Sequence, residues 1–238
     1  MTLLLSVALW GSFPATAKLA LVDFPPFFLA AVRSTAASCF LLLLLARSSS
    51  DTIRGLGPGA AGTFLVLGVL LVITRGPFAM LEPADLHSGD FITLVSLGCW
   101  AVYTVYGKRV LASYSPLLAT TAAYMMGTLM ILPTAALTAP LFPAPRLASL
   151  TAWSIVFYQG ILGAVAHIWW YEAVLVVGPS QAAIFTNLQP IVGIVLAPLL
   201  LGERIGVWHV VGTLFVLAGV GLTTRVYATK PAEQEHAS

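Results

Sequence analysis

Charge spacing is the feature that most constrains this chain. Residues 1–17 carry no Asp, Glu, Lys or Arg, and neither do 55–74, 91–107, 110–145, 147–171, 173–202 and 205–224; 24–46 carries only Arg33. About 20 consecutive apolar residues make a helix long enough to cross the hydrocarbon core of a bilayer, and the charges cut the chain into pieces of that size. A soluble domain carries roughly a quarter charged residues; here they are 8% of 238, against 59% hydrophobic. Lipid, not water, is therefore the solvent for most of the surface. The strand alternative is weak, because a membrane barrel alternates apolar and polar residues and runs such as Leu41–Leu45 and Val195–Leu201 do not.

The fold class is all-α, a polytopic membrane bundle of about eight transmembrane helices near 3–22, 27–46, 58–75, 89–108, 115–137, 151–171, 180–201 and 206–225. Pro133, Pro140, Pro143 and Pro145 make the second half of 110–145 a loop. The N-terminus lacks the basic start and small-residue cleavage site of a secretory signal and reads as the first helix. Cys39 and Cys99 fall in apolar segments, so no disulfide framework is expected. With the N-terminus inside, the inner segments hold Arg47, Arg54, Lys108, Arg109, Arg225 and Lys230, and the outer loops Arg75, Arg146 and Arg204. Six against three places both termini in the cytoplasm, with 226–238 as a disordered cytoplasmic tail.

The chain repeats itself. Trp10-Gly-Ser-Phe-Pro-Ala-Thr-Ala-Lys18 with Pro26 matches Trp100-Ala-Val-Tyr-Thr-Val-Tyr-Gly-Lys108 with Pro116 at an offset of 90. Gly62-Thr63 through Arg75 matches Gly212-Thr213 through Arg225 at an offset of 150. The offset grows by 60 residues, the length of two transmembrane helices, so the first repeat (1–75) has three helices and the second (89–225) has five. An odd first repeat starts the second on the opposite side of the membrane. The repeats are thus antiparallel, the inverted arrangement of many secondary transporters.

At these residues the chain resembles the EamA-domain proteins of the drug/metabolite transporter superfamily. The likeness is carried by Trp10-Gly with Lys18, by Gly89-Asp90 leading to Trp100-Ala and Lys108-Arg109, and most of all by Ala182-Ala183 through Asn187-Leu188-Gln189-Pro190 to Leu201-Gly202-Glu203-Arg204, then Gly212 and Gly219. The resemblance implies inverted five-helix repeats, movement of small metabolites or drugs across the cytoplasmic membrane, and a central cavity that includes the third and fourth helix of each repeat. Those two helices are missing from the first repeat. Two readings follow: a secondary transporter, or a non-transporting or oligomer-dependent membrane protein of that kind, with a homodimer as one way to complete the cavity. The partners expected are the lipid bilayer and a small-molecule substrate, with no nucleic acid.

The candidate cavity residues are Trp10, Arg33, Trp100, His167, Tyr171, Asn187, Gln189 and Pro190. Arg33 sits mid-helix, where a charge costs several kcal/mol unless it faces the bundle interior or snorkels; it reads as a contact for an anionic group or as a structural ion pair. Lys18 and Lys108 end their helices and read as snorkelling. His167 and Tyr171, four apart, share a face. With Glu172 they read as a proton relay or, favoured on the sequence, as an interfacial aromatic belt with Glu172 in the loop. Asn187 and Gln189 precede or flank Pro190 in an apolar helix, reading as a broken helix that lines a cavity or as interhelical packing. Glu203-Arg204 reads as a turn pair. There is no phosphate-binding Gly-Lys-Ser/Thr loop, no His-Glu-x-x-His, Cys-x-x-Cys or Gly-x-Ser-x-Gly, and no basic patch. No enzyme activity, metal or cofactor is expected; the four histidines are scattered.

The topology makes a direct prediction. In intact cells, a single cysteine placed at Arg146 reacts with a membrane-impermeant maleimide, and one placed at Lys230 reacts only after permeabilisation. Equal labelling of both contradicts the assignment.

Overall fold

A computed structural model describes residues 1–48 and 88–202, together with 213, 214 and 217. The expected helix 58–75, nearly all of 206–225, and the tail 226–238 lie outside the described residues. Every described element is helical: α1 (Thr2–Leu21), α2 (Pro26–Arg47), α3 (Ser88–Val110), α4 (Pro116–Thr138) with a 3-10 turn Ala139–Leu141, α5 (Leu150–Phe157), one π-helical turn (Tyr158–Leu162), α6 (Gly163–Val177), α7 (Pro179–Thr186) and α8 (Gln189–Leu201). Among the described residues, five spans are long and apolar enough to cross a membrane: α1, α2, α4 with its 3-10 turn, α5 through α6, and α7 through α8. The protein is a multi-pass helical membrane protein.

The ends are set locally. Pro26 and Pro116 occupy the first turn of α2 and α4, where a missing N–H costs nothing. Ser115 and Ser149 cap α4 and α5, their hydroxyl oxygens accepting from Leu118 N and Ala152 N at 3.1 Å. Gly202 closes α8 in the left-handed conformation, φ 68°. The α1–α2 turn is tied to the α4–α5 loop at one end of the bundle: Asp23 O accepts from Arg146 N (2.9 Å), and Asp23 carboxylate oxygens accept from Ser149 Oγ (2.6 Å) and Arg146 Nη1 (3.3 Å).

The structure refines the sequence reading at three places. Pro133 lies inside α4, as the span 115–137 has it, and the loop read over the second half of 110–145 begins only after the helical path ends at Leu141. The threonine hydroxyls of Thr134 and Thr138 bond the carbonyls of Met130 (2.9 Å) and Thr134 (2.8 Å) just there, which is how membrane helices accommodate proline. The 151–171 span continues to Val177, because Ala173–Val177 is apolar and Gly178-Pro179 is the first real stop. Glu172 is therefore on an exposed helix face, not in a loop. The 180–201 span is interrupted at Asn187-Leu188. Pro190 has no N–H to continue the ladder, and the backbone passes the break on tight bonds from Asn187 N to Ile184 O (3.2 Å), Leu188 N to Phe185 O (3.0 Å) and Ile191 N to Leu188 O (3.2 Å).

α2 and α4 pack antiparallel. Phe27, Ala30 and Ala31 near the start of α2 meet Ile131 and Ala135 near the end of α4, and Leu41 near the end of α2 clusters with Leu117 at the start of α4. Between them Ser38 Oγ and Thr128 Oγ1 share a hydrogen bond of 2.9 Å. Trp10 and Trp100 also meet, ring centroids 5.5 Å apart and nearly perpendicular. Both pairs are 90 residues apart, the offset of the first sequence match.

α1 crosses α8 backbone to backbone at Gly11. A Cβ there would stand 2.7 Å from Gln189 O and from Val192 Cβ, whereas a Cβ at Gly98 meets nothing within 4 Å. Replacing Gly11 by Val is expected to destabilise the protein by roughly 1–3 kcal/mol, the usual cost of overpacking, and Gly98→Ala to leave stability unchanged. Thermal unfolding in detergent, followed by tryptophan emission, distinguishes the two.

Candidate functional site

Residues 167, 170 and 171 on α6 lie one turn apart on a single helical face, and all three side chains are fully buried. They meet Trp10 from α1, Trp100 and Tyr103 from α3 and Tyr124 from α4. The rings form one continuous cluster. Trp10 lies 4.8 Å from the His167 ring, 5.5 Å from Trp170 and 5.5 Å from Trp100, centroid to centroid. Trp100 stacks on Tyr103 at 5.3 Å, and Tyr103 stacks on Tyr171 at 5.5 Å. The Tyr124 ring stands edge-on to His167 at 5.1 Å. Gly107 makes room at the α3 end: a Cβ there would come 2.8 Å from the Tyr171 hydroxyl.

His167 Nδ1 is 2.9 Å from Tyr124 OH and 2.9 Å from the Gly163 carbonyl oxygen. A carbonyl only accepts, so the neutral imidazole that satisfies Gly163 carries its proton on Nδ1, leaving Nε2 as the basic nitrogen.

A second polar set sits in the half of the bundle nearer the α1–α2 turn, built on the π-helical turn. Gln159, buried, accepts from Arg33 Nη1 at 2.9 Å, and its amide nitrogen donates to Thr16 Oγ1 (2.8 Å) and Phe13 O (3.1 Å). Next to it Ser12 Oγ donates to Leu9 O (2.7 Å), so Tyr158 OH donates to Ser12 Oγ across 2.6 Å. The turn packs closely on α2, with the Arg33 carbonyl oxygen 2.9 Å from where a Cβ on Gly160 would lie. One side-chain amide thus holds α1, α2 and the α5–α6 span together.

Of the residues singled out from sequence, Trp10, Trp100, His167 and Tyr171 come together in the aromatic cluster. Arg33 belongs to the neighbouring Gln159 network. Asn187 and Pro190 are exposed, and Gln189 is half-buried with its backbone against Gly11; the three do not join the cluster. Because His167, Trp170 and Tyr171 are fully buried and Glu172 is exposed within the helix, these residues are bundle interior and not the interfacial belt favoured on the sequence. A relay through Glu172 is ruled out with it, as that carboxylate is on the other face. Tyr103, Tyr124, Tyr158, Gln159 and Trp170 were not picked out as site residues. The usable signals were the lone amide in the charge-free run 147–171 and Tyr103 standing 90 residues after Phe13, at the offset of the Trp10–Trp100 match. Among the described residues, no three His, Cys, Asp or Glu side chains gather as a metal site would require.

A family model described as the EamA-like transporter family matches residues 87–225. The chain is 29% identical over 161 residues to the uncharacterized transporter YyaM of Bacillus subtilis, covering 66% of this chain and 51% of that protein. It is 30% identical over 166 residues to an uncharacterized transporter of Archaeoglobus fulgidus, covering 69% and 56%, and 28% identical over 170 residues to the uncharacterized transporter YrdR of Bacillus subtilis, covering 69% and 52%. The chain spans about half the length of the curated relatives it matches.

The Gln159 network yields a stability test. Gln159→Leu removes one acceptor of Arg33 and the amide donations to Thr16 Oγ1 and Phe13 O, and is expected to cost about 1–3 kcal/mol, read as a lowered unfolding midpoint. Gln159→Glu, which still accepts from Arg33 but cannot donate to Phe13 O or Thr16 Oγ1, is expected to recover only part of the loss. Equal midpoints for wild type and Gln159→Leu contradict the reading.

Proposed function

The chain belongs to the EamA-like transporter family, and from that premise we propose that it is a secondary transporter, a permease or exporter of small metabolites or drugs across the cytoplasmic membrane, with both termini in the cytoplasm. One observation carries the reading: at bilayer depth, where buried polar groups are expensive and mark transport pathways, the tryptophans that match at an offset of 90 meet each other around a buried histidine. The antiparallel α2–α4 seam, crossed by a second pair with the same offset, supports two inverted repeats related by a pseudo-two-fold axis in the membrane plane. Rocking of one repeat against the other then exposes the cluster alternately to the two sides. In this reading Trp10, Trp100, Tyr103, Trp170 and Tyr171 present ring faces to the substrate, and Arg33, with Gln159, orients an anionic group.

A second reading, that the working unit is an oligomer, has its own observation. Ser12 and Ala15 on α1 are covered by the spans beyond residue 150, being 6% and 5% exposed, whereas their counterparts at an offset of 90 on α3, Val102 and Val105, are 54% and 58% exposed. That bare strip is where two further helices of the first repeat would pack.

Metabolite profiles of cells expressing the chain and of cells carrying an empty vector test the proposal. A small-molecule difference between cells and medium is expected, cut roughly tenfold by Trp100→Ala, since each ring contact is worth about 0.5–1.5 kcal/mol and Trp100 makes several. Indistinguishable profiles with membrane-inserted protein would sink it. Val102→Cys chains that disulfide-link into dimers, with Leu43→Cys as the lipid-facing control, would favour the oligomer.

A further inference from the structure

We propose that His167 is a proton-binding site, and that the proton it takes up is the ion coupled to transport. The coupling half rests on the transporter reading; the site itself does not.

His167 lies ten residues before the end of α6, about 15 Å along the helix, with no solvent exposure. Nδ1–H is committed to the Gly163 carbonyl and the Tyr124 oxygen, both 2.9 Å away, so Nε2, itself shut off from solvent, is the atom that gains the proton. An imidazolium formed there lies against the Trp10 ring, tilted at 58° with centroids 4.8 Å apart, within the roughly 6 Å over which an aromatic ring attracts a cation, while Tyr124 meets it edge-on at 5.1 Å with its hydroxyl oxygen at Nδ1. Trp100 and Tyr103 follow at 6.1 and 6.5 Å. Among the described residues no three His, Cys, Asp or Glu side chains gather here as a metal site would require, and the cation assigned to the imidazole is a proton.

The charged and titratable groups on the surrounding elements are few. α3 presents the Tyr103 phenol and α4 the Tyr124 phenol, while α1 presents Trp10, which does not titrate. α6 itself adds Tyr171 one turn on, with Glu172 exposed on the other face. The π turn adds Tyr158, bonded to Ser12, and α2 adds Arg33, held at Gln159 two turns earlier on the same span. Among the described residues, protonation therefore changes the charge of the cluster through one group.

Position turns that charge into a lever. The imidazole contacts Trp10 from the first repeat and Trp100, Tyr103 and Tyr124 from the second. Its Nδ1 partner Gly163 is the first residue after the π-helical turn, a wide turn of the kind found at functional sites. A proton enters from water on one side, resides on Nε2 as imidazolium, and leaves to water on the other. One proton and one positive charge move, and no bond other than N–H forms or breaks.

The test uses a chain in which His87, His209 and His236 are replaced by Gln, leaving His167 alone. Imidazolium quenches indole emission, and Trp10 is in contact. Lowering the pH from about 8 to 5, the window in which histidine titrates, is expected to diminish tryptophan emission along a single-site curve. His167→Gln should lose that curve, and Tyr124→Phe should shift its midpoint. An emission profile that is flat, or that survives His167→Gln, overturns the site. Should His167→Gln not fold, an unmoved midpoint in Tyr124→Phe does the same. Proton flux into phosphatidylethanolamine–phosphatidylglycerol vesicles under a pH gradient, read with an entrapped pH dye, separates the two layers. Titration without flux above protein-free vesicles upholds the site and removes uncoupled proton passage through it, leaving the transporter reading to the metabolite profiles; flux without titration removes the site and leaves transport standing.

Discussion

Hydrocarbon offers no hydrogen bonds. Each backbone N–H and C=O at bilayer depth must therefore be satisfied inside the protein, and each polar side chain that turns inward must find its partner there. The helices answer the first demand and Gln159 the second. Its amide accepts from Arg33 on α2 and donates to Thr16 and to a backbone carbonyl of α1, so three spans are joined through one side chain in a place where water cannot substitute. Fixing α1 and α2 against α5–α6 in this way sets the position of Trp10 relative to His167, and with it the geometry of the whole aromatic cluster.

Small residues do the complementary work. A membrane bundle gains little from burying apolar surface, because lipid tails are as apolar as leucine; close packing has to come from shape. Gly11 brings α1 against Gln189 and Val192, Gly160 brings the π turn against the Arg33 carbonyl, Gly163 lets Phe13 approach α6, and Gly107 receives the Tyr171 ring. Each contact sits beside a polar or aromatic member of the site. Backbone proximity and side-chain chemistry are thus arranged by the same positions, and α8, no residue of which is buried, meets α1 closely at Gly11.

Five of the eight expected spans are present among the described residues as helices long and apolar enough to cross a membrane, and they were legible because charge is so costly in lipid that the few charges mark the helix ends. Trp10 and Trp100 were legible through the shared spacing of Trp, Lys and Pro at an offset of 90. Which way a given side chain points was not. Where a helix is apolar all round, no amphipathic stripe orients it, and so Asn187 and Pro190 read as interior while the structure leaves them exposed. The same uniformity hid the inward turn of Trp170 and Tyr171, because tryptophan and tyrosine near a span's expected end suit an interface equally well. The error came from the helix running to Val177, which moves His167 and its neighbours from the rim toward the middle. Gln159 was hidden by the π turn, whose extra residue per turn shifts register in a way the sequence does not announce.

Two cationic groups in one bundle then divide the chemistry between them. Arg33 keeps its charge under all physiological conditions, so it can orient an anion or brace helices but cannot report a gradient. His167 has a charge that changes between about pH 5 and 8 when unperturbed, and it stands among rings from both halves of the chain. A fixed charge beside a switchable one, joined through the short run from Gln159 to His167, is the arrangement in which taking up a proton and releasing a bound molecule are felt by the same helix. The π turn lies within that run, so any rotation of α6 that follows a change at His167 is transmitted first to the residue that holds Arg33.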